Sequence, residues 1–343
     1  MAGPASLPSL DIARYRFTLR PQRPTILPGY PGSMLRGAFG WALKQAVCVV
    51  EHGECSRCIL RESCHYPYWF ETPFPGHLPL RSGSKDAPAP FLLEIAPAEY
   101  TARPTPEHPL QFGMTLIGAR AQEALKYVVQ AVADLGKSGL GRDRTRFRLT
   151  DVQAVDSDGA QNGRATARPL SAVTAERTAT LATARRIRVT FETPTRIRVA
   201  GDLQAEVNFA LLARNLLRRV TLLAEVHGAG RADLDAKAFL AAAETVRTEQ
   251  SLLRWLDWER WSNRQRENLK MGGFLGEIVF SGDALPGFAP WLAAGEVLHV
   301  GTGTTLGLGR MRVEPLLDGT QETSAARRTS GHEILQPKVG GEL

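Results

Sequence analysis

The tetrapeptide Gly-Leu-Gly-Arg occurs twice, at Gly139–Arg142 and at Gly307–Arg310, each time ahead of a β-prone run. Two further stretches correspond. RYRFTLRPQRPTILPG (14–29) precedes one helical pattern, and RRIRVTFETPTRIRVAG (185–201) precedes another. A chain that repeats strand, helix, later strands, glycine turn and strand is constrained to two similar α+β units in tandem. Two such open-faced units, side by side, bury one edge each and leave a cleft between them. The first unit is expected over residues 1–155, interrupted by an insertion at 48–64, and the second over 185–317. The polar, small-residue stretch 156–184 reads as a linker, and 318–343, without periodicity, as a disordered tail.

Within the first unit, Tyr15, Phe17 and Leu19 alternate with Arg14, Arg16, Thr18 and Arg20, which predicts a half-buried strand with a basic outer face. Ser33 is a candidate N-cap for a helix from Met34 to about Val50, with Leu35, Ala38, Phe39, Ala42, Leu43 and Val47 as its apolar stripe. Arg36 and Lys44 lie off that stripe. Strands are predicted at 91–95, 111–118 and 147–155, and a helix at 121–135. In the second unit a helix over 206–226 is apolar nearly all round, which predicts burial.

Near the C-terminus, Gly301, Gly303, Gly307 and Gly309 sit between two short apolar runs, Val297–Val300 and Met311–Val313. The pattern predicts strand, glycine-rich loop, strand. With Thr302, Thr304 and Thr305 it offers hydroxyls and amides suited to phosphate oxygens. The GxxxxGK[ST] pattern is absent and no apolar-period helix follows the loop, which argues against a nucleotide-hydrolysing P-loop. A plain β-turn is the competing reading.

The 343 residues carry a net charge of +7. Arginine greatly outnumbers lysine, and its guanidinium fork matches phosphate, so an anionic partner is expected. Arg142, Arg144, Arg146 and Arg148 alternate, as do Arg186 with Arg188 and Arg196 with Arg198, predicting basic ladders on strands. Arg264, Arg266 and Lys270 crowd one segment, the last two as i,i+4 neighbours if it is helical. A solvated basic edge that blocks aggregation explains one such ladder more easily than three. No run of eighteen apolar residues and no basic-then-apolar leader is visible, so a cytoplasmic protein that does not enter membranes is expected.

All four cysteines fall in one window, Cys48-x6-Cys55-x2-Cys58-x5-Cys64. Four close thiols in a cytoplasmic chain point to a metal site over disulfides. Tetrahedral Zn²⁺ is the first reading. The spacing also resembles the [4Fe–4S] loop of endonuclease III-like DNA glycosylases, so a cluster stays open. In either case four thiolates leave no open coordination position, and the metal would be structural.

The segment WLDWERWSNRQRENLKMGGFLG (255–276), followed by GTGTTLGLGR (301–310), resembles the C-terminal half of the CRISPR precursor-RNA-processing endoribonucleases of the RAMP superfamily. The match is carried by Trp258, Ser262, Arg264, Gln265, Met271, Gly272, Gly273, Gly276 and the glycine loop. It departs at Trp261, Thr302 and Leu306, where the family often has Tyr, Lys and Phe. The resemblance covers about 10–50 and 185–315. It implies two tandem ferredoxin-like (RRM-like) domains and binding of the repeat hairpin in precursor CRISPR RNA. The implied reaction is metal-independent: the 2′-OH attacks the adjacent phosphate, leaving a 2′,3′-cyclic phosphate, and the crRNA is retained.

Such a reaction needs a base, a proton donor and cations for the phosphorane charge. Many members of the family carry a histidine in or just after the first helix. Here the candidate is His52, with Arg36 and Lys44 as a second route that stabilises charge without a base, since arginine stays protonated. RNA contacts are expected from Arg142, Arg144, Arg186, Arg188, Arg264, Arg266, Lys270, Gly301, Thr302, Gly303, Thr304, Gly307, Gly309 and Arg310. His65 is expected to support the cysteine loop. His299, on the face of the expected strand with Val297, reads as structural. Other CRISPR effector subunits are expected partners. The rival readings are a non-catalytic RAMP subunit that holds the guide, favoured by the lack of a helix-borne histidine, and an iron–sulfur DNA enzyme, which the α+β duplication argues against.

Overall fold

A computed structural model describes residues 6–50, 54–72, 74, 87–96, 103–155, 167–230, 234–257, 259–262 and 267–317, with backbone alone for 259–262 and 267–270. The first unit contains β1 (Asp11–Pro21), α1 (Gly32–Val47), α2 (His65–Phe70), β2 (Phe91–Glu94), β3 (Leu110–Ile117), α3 (Ala119–Glu123), α4 (Leu125–Ser138) and β4 (Phe147–Val155). A connecting segment holds β5 (Arg168–Pro169), α5 (Leu170–Val173) and α6 (Ala175–Leu181). The second unit holds β6 (Arg186–Thr195), β7 (Arg198–Val199), β8 (Asp202–Leu203), α7 (Phe209–His227), α8 (Ala236–Glu244), β9 (Arg247–Leu256), β10 (Glu259–Ser262), β11 (Glu267–Lys270), β12 (Gly273–Ser281), α9 (Ala289–Leu298) and β13 (Met311–Pro315).

The two units have the same topology. The main path of the first sheet runs β2-β3-β1-β4 and the second sheet runs β9-β12-β6-β13, all pairs antiparallel. In both, the last strand pairs with the first, which is the β-α-β-β-α-β arrangement of ferredoxin-like folds. The duplicated tetrapeptide is duplicated in shape too. Gly139 and Gly141 have φ of 85° and 76°, and Gly307 and Gly309 have 83° and 75°. The leucine between each pair, Leu140 or Leu308, is buried. A left-handed backbone on either side drives that leucine into the core, and only glycine takes those angles without cost.

Each sheet buries one face. On β1 the alternation holds, with Tyr15, Phe17 and Leu19 buried. α1 packs Leu35, Phe39, Ala42 and Leu43 on that face, and Phe39 meets Trp69 and Phe91 edge-on at 5.8 and 5.7 Å. In the second unit Phe209, Phe239, Phe280, Phe288 and Trp291 form a chain of edge-to-face contacts between α7, α8, β12 and α9. Burying each such ring contributes about 1.5–3 kcal/mol. α7 starts on Asn208, whose side chain accepts from the Leu211 amide at 2.8 Å.

Four expectations change. Ser33 lies inside α1, which begins at Gly32 after Pro31 without a side-chain cap. Val297 and Leu298 end helix α9 instead of opening a strand; a short apolar run fits a buried helix or strand equally well, and Pro290 in the first turn favours the helix. Residues 267–270, part of the stretch expected to be helical, are a strand, β11, paired with β10 (259–262). Residues 168–184, expected to be linker, tie the units together. β5 pairs with β1, while Leu170, Val173, Leu181 and Ala184 enter the core of the second unit. Arg177 adds a two-pronged bond to Glu296, both contacts at 2.9 Å. The remainder of the linker (156–166) and the tail (318–343) lie outside the described residues.

Candidate nucleic-acid interface

The units meet where β2 and the start of α1 face the loop after α9. That loop begins at His299, a non-glycine residue with φ of 60°. Its ring is buried, and Nδ1–H donates to the Leu308 carbonyl at 3.1 Å. Burial pushes the imidazole down to about 3, so it is neutral in ordinary buffers. His299 is therefore structural, as expected, but it closes a helix instead of lining a strand.

The glycine loop is built to approach other backbone. A Cβ at Gly309 would stand 1.8 Å from the Val300 carbonyl oxygen, and one at Gly301 would stand 2.4 Å from that of Arg196. The amides of Val300, Thr302, Leu306, Gly307, Leu308, Gly309 and Arg310 all donate within the protein. Thr304, Gly307 and Gly309 are buried. These seven amides are engaged within the loop and with residues 193–196. Thr302 is the exposed residue of the loop, with Gly301, Gly303, Thr305 and Arg310 partly open.

Across the seam, the Tyr30 hydroxyl donates to the Leu306 carbonyl at 2.7 Å, and Arg36 Nε donates to Thr305 Oγ1 at 3.1 Å. Tyr30 packs with Met271, Leu306 and Leu308. Arg196, buried, donates to the Gly272 carbonyl at 2.8 Å. The structure thus joins three stretches far apart in the chain: 30–36, 271–272 and 301–310. Tyr30 was not legible as a site residue; its signal was a lone aromatic in the PGYPGS turn ahead of α1.

On α1, the Arg36 guanidinium lies 5.1 Å from the centre of the Phe70 ring and the Lys44 ammonium 5.4 Å from that of Tyr66. Deeper in the seam, Arg14 grips Glu94 with both prongs (3.1 and 2.8 Å) and Thr115 adds a third bond at 2.5 Å. Burial alone would raise the Glu94 carboxyl, but these partners outweigh it and bring it down to about 2. At the far end, His227 Nε2–H donates to the Pro88 carbonyl at 2.7 Å and Nδ1 accepts from the Tyr68 hydroxyl at 3.0 Å. Its burial brings the imidazole down to about 4.

His52 lies outside the described residues, as do Arg264 and Arg266. Lys270 is placed by its backbone in β11. The basic ladders are partly corrected. Arg142 and Arg144 lie in the turn before β4, exposed, with Arg144 at φ of 49°. Arg186 pairs with Glu249 at 2.7 Å, Arg188 with Glu277 at 3.4 Å, and Arg310 with Glu192 at 2.7 Å. That face of β6 is a mixed-charge ladder, because its neighbours β12 and β13, and β9 beyond β12, supply carboxylates. Arg20 and Arg148, with Leu149 and Thr150, line an open cleft of about 560 Å³.

The cysteines flank α1 and α2. Cys48 caps the end of α1, Cys64 the start of α2, and the Cys58 amide donates to the Cys55 carbonyl at 3.4 Å. Burial raises the Cys55 thiol; Lys44 opposes that rise, and Cys48 and Cys64 are both close enough to add to it. Among the described residues, no group of three or more His, Cys, Asp or Glu side chains is arranged to hold a metal.

The family model of the CRISPR-associated endoribonuclease Cas6 matches residues 189–311. Over those residues the chain is similar to the Cas6 family. The seam residues Arg196, Met271–Gly272 and the glycine loop all lie within them. A second model, the AF_1859 N-terminal domain, matches residues 8–178. Among solved structures, a Cas6 product complex superposes with a TM-score of 0.51 at 16% identity, over 88% of this chain and 100% of that one. A Thermus thermophilus Cas6 gives 0.51 at 15%, over 89% and 99%. The partial Cas6-RT-Cas1–Cas2 complex gives 0.57 at 14%, over 91% of this chain and 47% of that one. At these identities the likeness is one of fold. No curated protein matches significantly. Among the described residues, no helix is long and apolar enough to cross a membrane.

Proposed function

We propose that the chain is a CRISPR RNA-maturation endoribonuclease that binds the repeat hairpin of precursor CRISPR RNA, cuts it at the base of the stem and retains the product. The observation that carries this reading is the seam. Tyr30 and Arg36 of the first unit close onto the glycine loop of the Cas6-like stretch. The 2′-OH beside the scissile phosphate is the nucleophile, and no catalytic metal takes part; the products are a 2′,3′-cyclic phosphate and a 5′-OH. Arg36 and Lys44 supply positive charge for the phosphorane. His52, just beyond α1, is the candidate base. Thr302, Gly301, Gly303 and Arg310 offer the exposed side of the loop to the backbone. Arg142 and Arg144, and the segment carrying Arg264, Arg266 and Lys270, extend the contact along the stem by charge instead of by base reading.

The four cysteines are proposed to hold a structural Zn²⁺, with [4Fe–4S] as the alternative. The spacing Cys48-x6-Cys55-x2-Cys58-x5-Cys64 is what supports this reading. Further CRISPR subunits are proposed as partners.

One observation favours a second reading, a guide-holding subunit without catalysis. Of the three histidines placed beside α2 or at the seam, His299 is buried and bonded, His227 is half-buried and bonded, and His65 packs on the Tyr127 ring at 4.9 Å. Incubation with the repeat RNA in EDTA, with mapping of product ends, separates the two. A single cut below the stem ending in a cyclic phosphate supports the nuclease. Tight binding without a cut supports the guide holder, and no binding removes both.

A further inference from the structure

The two cations of α1 are held by a device that nothing in the reaction itself requires. Arg36, Gly40 and Lys44 recur every four residues and so form one stripe along α1. Tyr66 and Phe70 are also four apart, on α2. Phe70 stands by Arg36 and Tyr66 by Lys44, so the two helices run past each other in opposite senses. The rings themselves are stacked, with centroids 5.3 Å apart and planes 17° from parallel. The result is a four-membered column: guanidinium, phenyl ring, phenol ring, ammonium.

Gly40 lets the column form. A Cβ there would stand 2.8 Å from the Phe70 ring, so any larger residue must displace that ring. At the other end of its reach, Arg36 is bonded to Thr305 in the glycine loop. Its guanidinium is thus fixed between a ring on one side and the seam on the other. The ring faces are negative and attract both cations, while their apolar bodies exclude water from one side of each side chain.

We infer that Tyr66 and Phe70 are positioning residues that hold Arg36 and Lys44 for the cleavage step. This rests on the reading of the seam as the place where RNA is cut. α2 follows Cys64 directly, so the cysteine loop leads straight into the helix that carries both rings.

The test compares Tyr66→Leu and Phe70→Leu with Tyr66→Phe and Phe70→Tyr, with Gly40→Ala as a variant that leaves cations and rings intact. In the free protein, the side-chain NMR resonances of Arg36 and Lys44 report ring currents. They should be displaced in the parent, return towards ordinary values in the leucine variants, and stay displaced in the aromatic swaps. With repeat RNA, the single-turnover cleavage rate should fall about tenfold in the leucine variants and in Gly40→Ala, as loss of a cation–ring contact predicts. The dissociation constant should shift less than about threefold, since most phosphate contacts remain. The aromatic swaps should restore the rate. Thermal unfolding checks that each variant is folded.

Resonances unchanged in the leucine variants overturn the column. A displaced resonance lost without loss of cleavage rate overturns the positioning role. If the parent binds RNA without cutting it, the role in cleavage falls together with the nuclease reading, while the resonances still decide whether the column exists.

Discussion

Lowering the pH from 7.5 to 5 should weaken this protein through two histidines, His227, which bonds across the two units, and His299, which bonds within the glycine loop. His227 and His299 are neutral when folded, with values brought down to about 4 and about 3, whereas an unfolded histidine titrates near 6.5. Below 6.5 the unfolded chain therefore binds more protons than the folded one, and stability falls as pH falls. The loss starts near 6.5 and continues until the folded groups themselves protonate. At pH 5 an unfolded histidine has gained about 1.5 units of protonation free energy that the folded one forgoes. At about 1.36 kcal/mol per unit, each histidine costs about 2 kcal/mol, and the pair about 4 kcal/mol.

The carboxylates do not mask this effect. The lowered Glu94 group contributes above about 4.5 and is lost only as pH drops towards 2, below the window. The charged neighbours are Glu94, Arg310 and Arg219 at His299, and Arg120 at His227. Urea unfolding followed by tryptophan fluorescence at the two pH values measures the difference. His227→Gln should remove about half of the pH dependence at some fixed cost in stability. A pH 5 stability within about 1 kcal/mol of the pH 7.5 value would refute the reasoning, since it would mean that these rings charge freely in the folded state.

Three further outcomes are expected. Tyr30→Phe deletes the bond to Leu306 and should lower stability by about 1 kcal/mol, with faster amide exchange confined to the glycine loop. Glu94→Gln removes the carboxylate that Arg14 grips and should cost about 3 kcal/mol in the same urea assay, more than Arg14 and Glu94 lose when replaced together. Metal analysis of the purified protein should find about one zinc per chain, lost when any of Cys48, Cys55, Cys58 or Cys64 becomes Ser; a brown protein containing iron would select the cluster instead.

Much of the architecture was written locally. The alternation in β1, the apolar stripe of α1 and the all-round apolar α7 each state which face is buried, because burial repeats with the period of the element. The repeated Gly-Leu-Gly-Arg tetrapeptide announced the tandem units, and the matched φ angles at Gly139/Gly307 and Gly141/Gly309 show why the same residues recur. Local pattern failed where it is ambiguous. Val297 and Leu298 suit a helix end as well as a strand, and the small-residue stretch 168–184 hid two helices whose partners are elsewhere.

The sequence by itself determined the two α+β units, the cysteine cluster, the stripe of Arg36 and Lys44, and the glycine loop as a special backbone. Tertiary structure alone decided what those features do. It engaged seven of the loop's amides within the protein, paired the β6 arginines with carboxylates from other strands of the sheet, buried His299, and set the rings of α2 against the cations of α1. The deciding contacts join Tyr30 to Leu306 and Arg36 to Thr305, across 276 and 269 residues. Periodicity records that a side chain has an inner or an outer face, but the group waiting on that face comes from another part of the chain and leaves no mark in the local pattern.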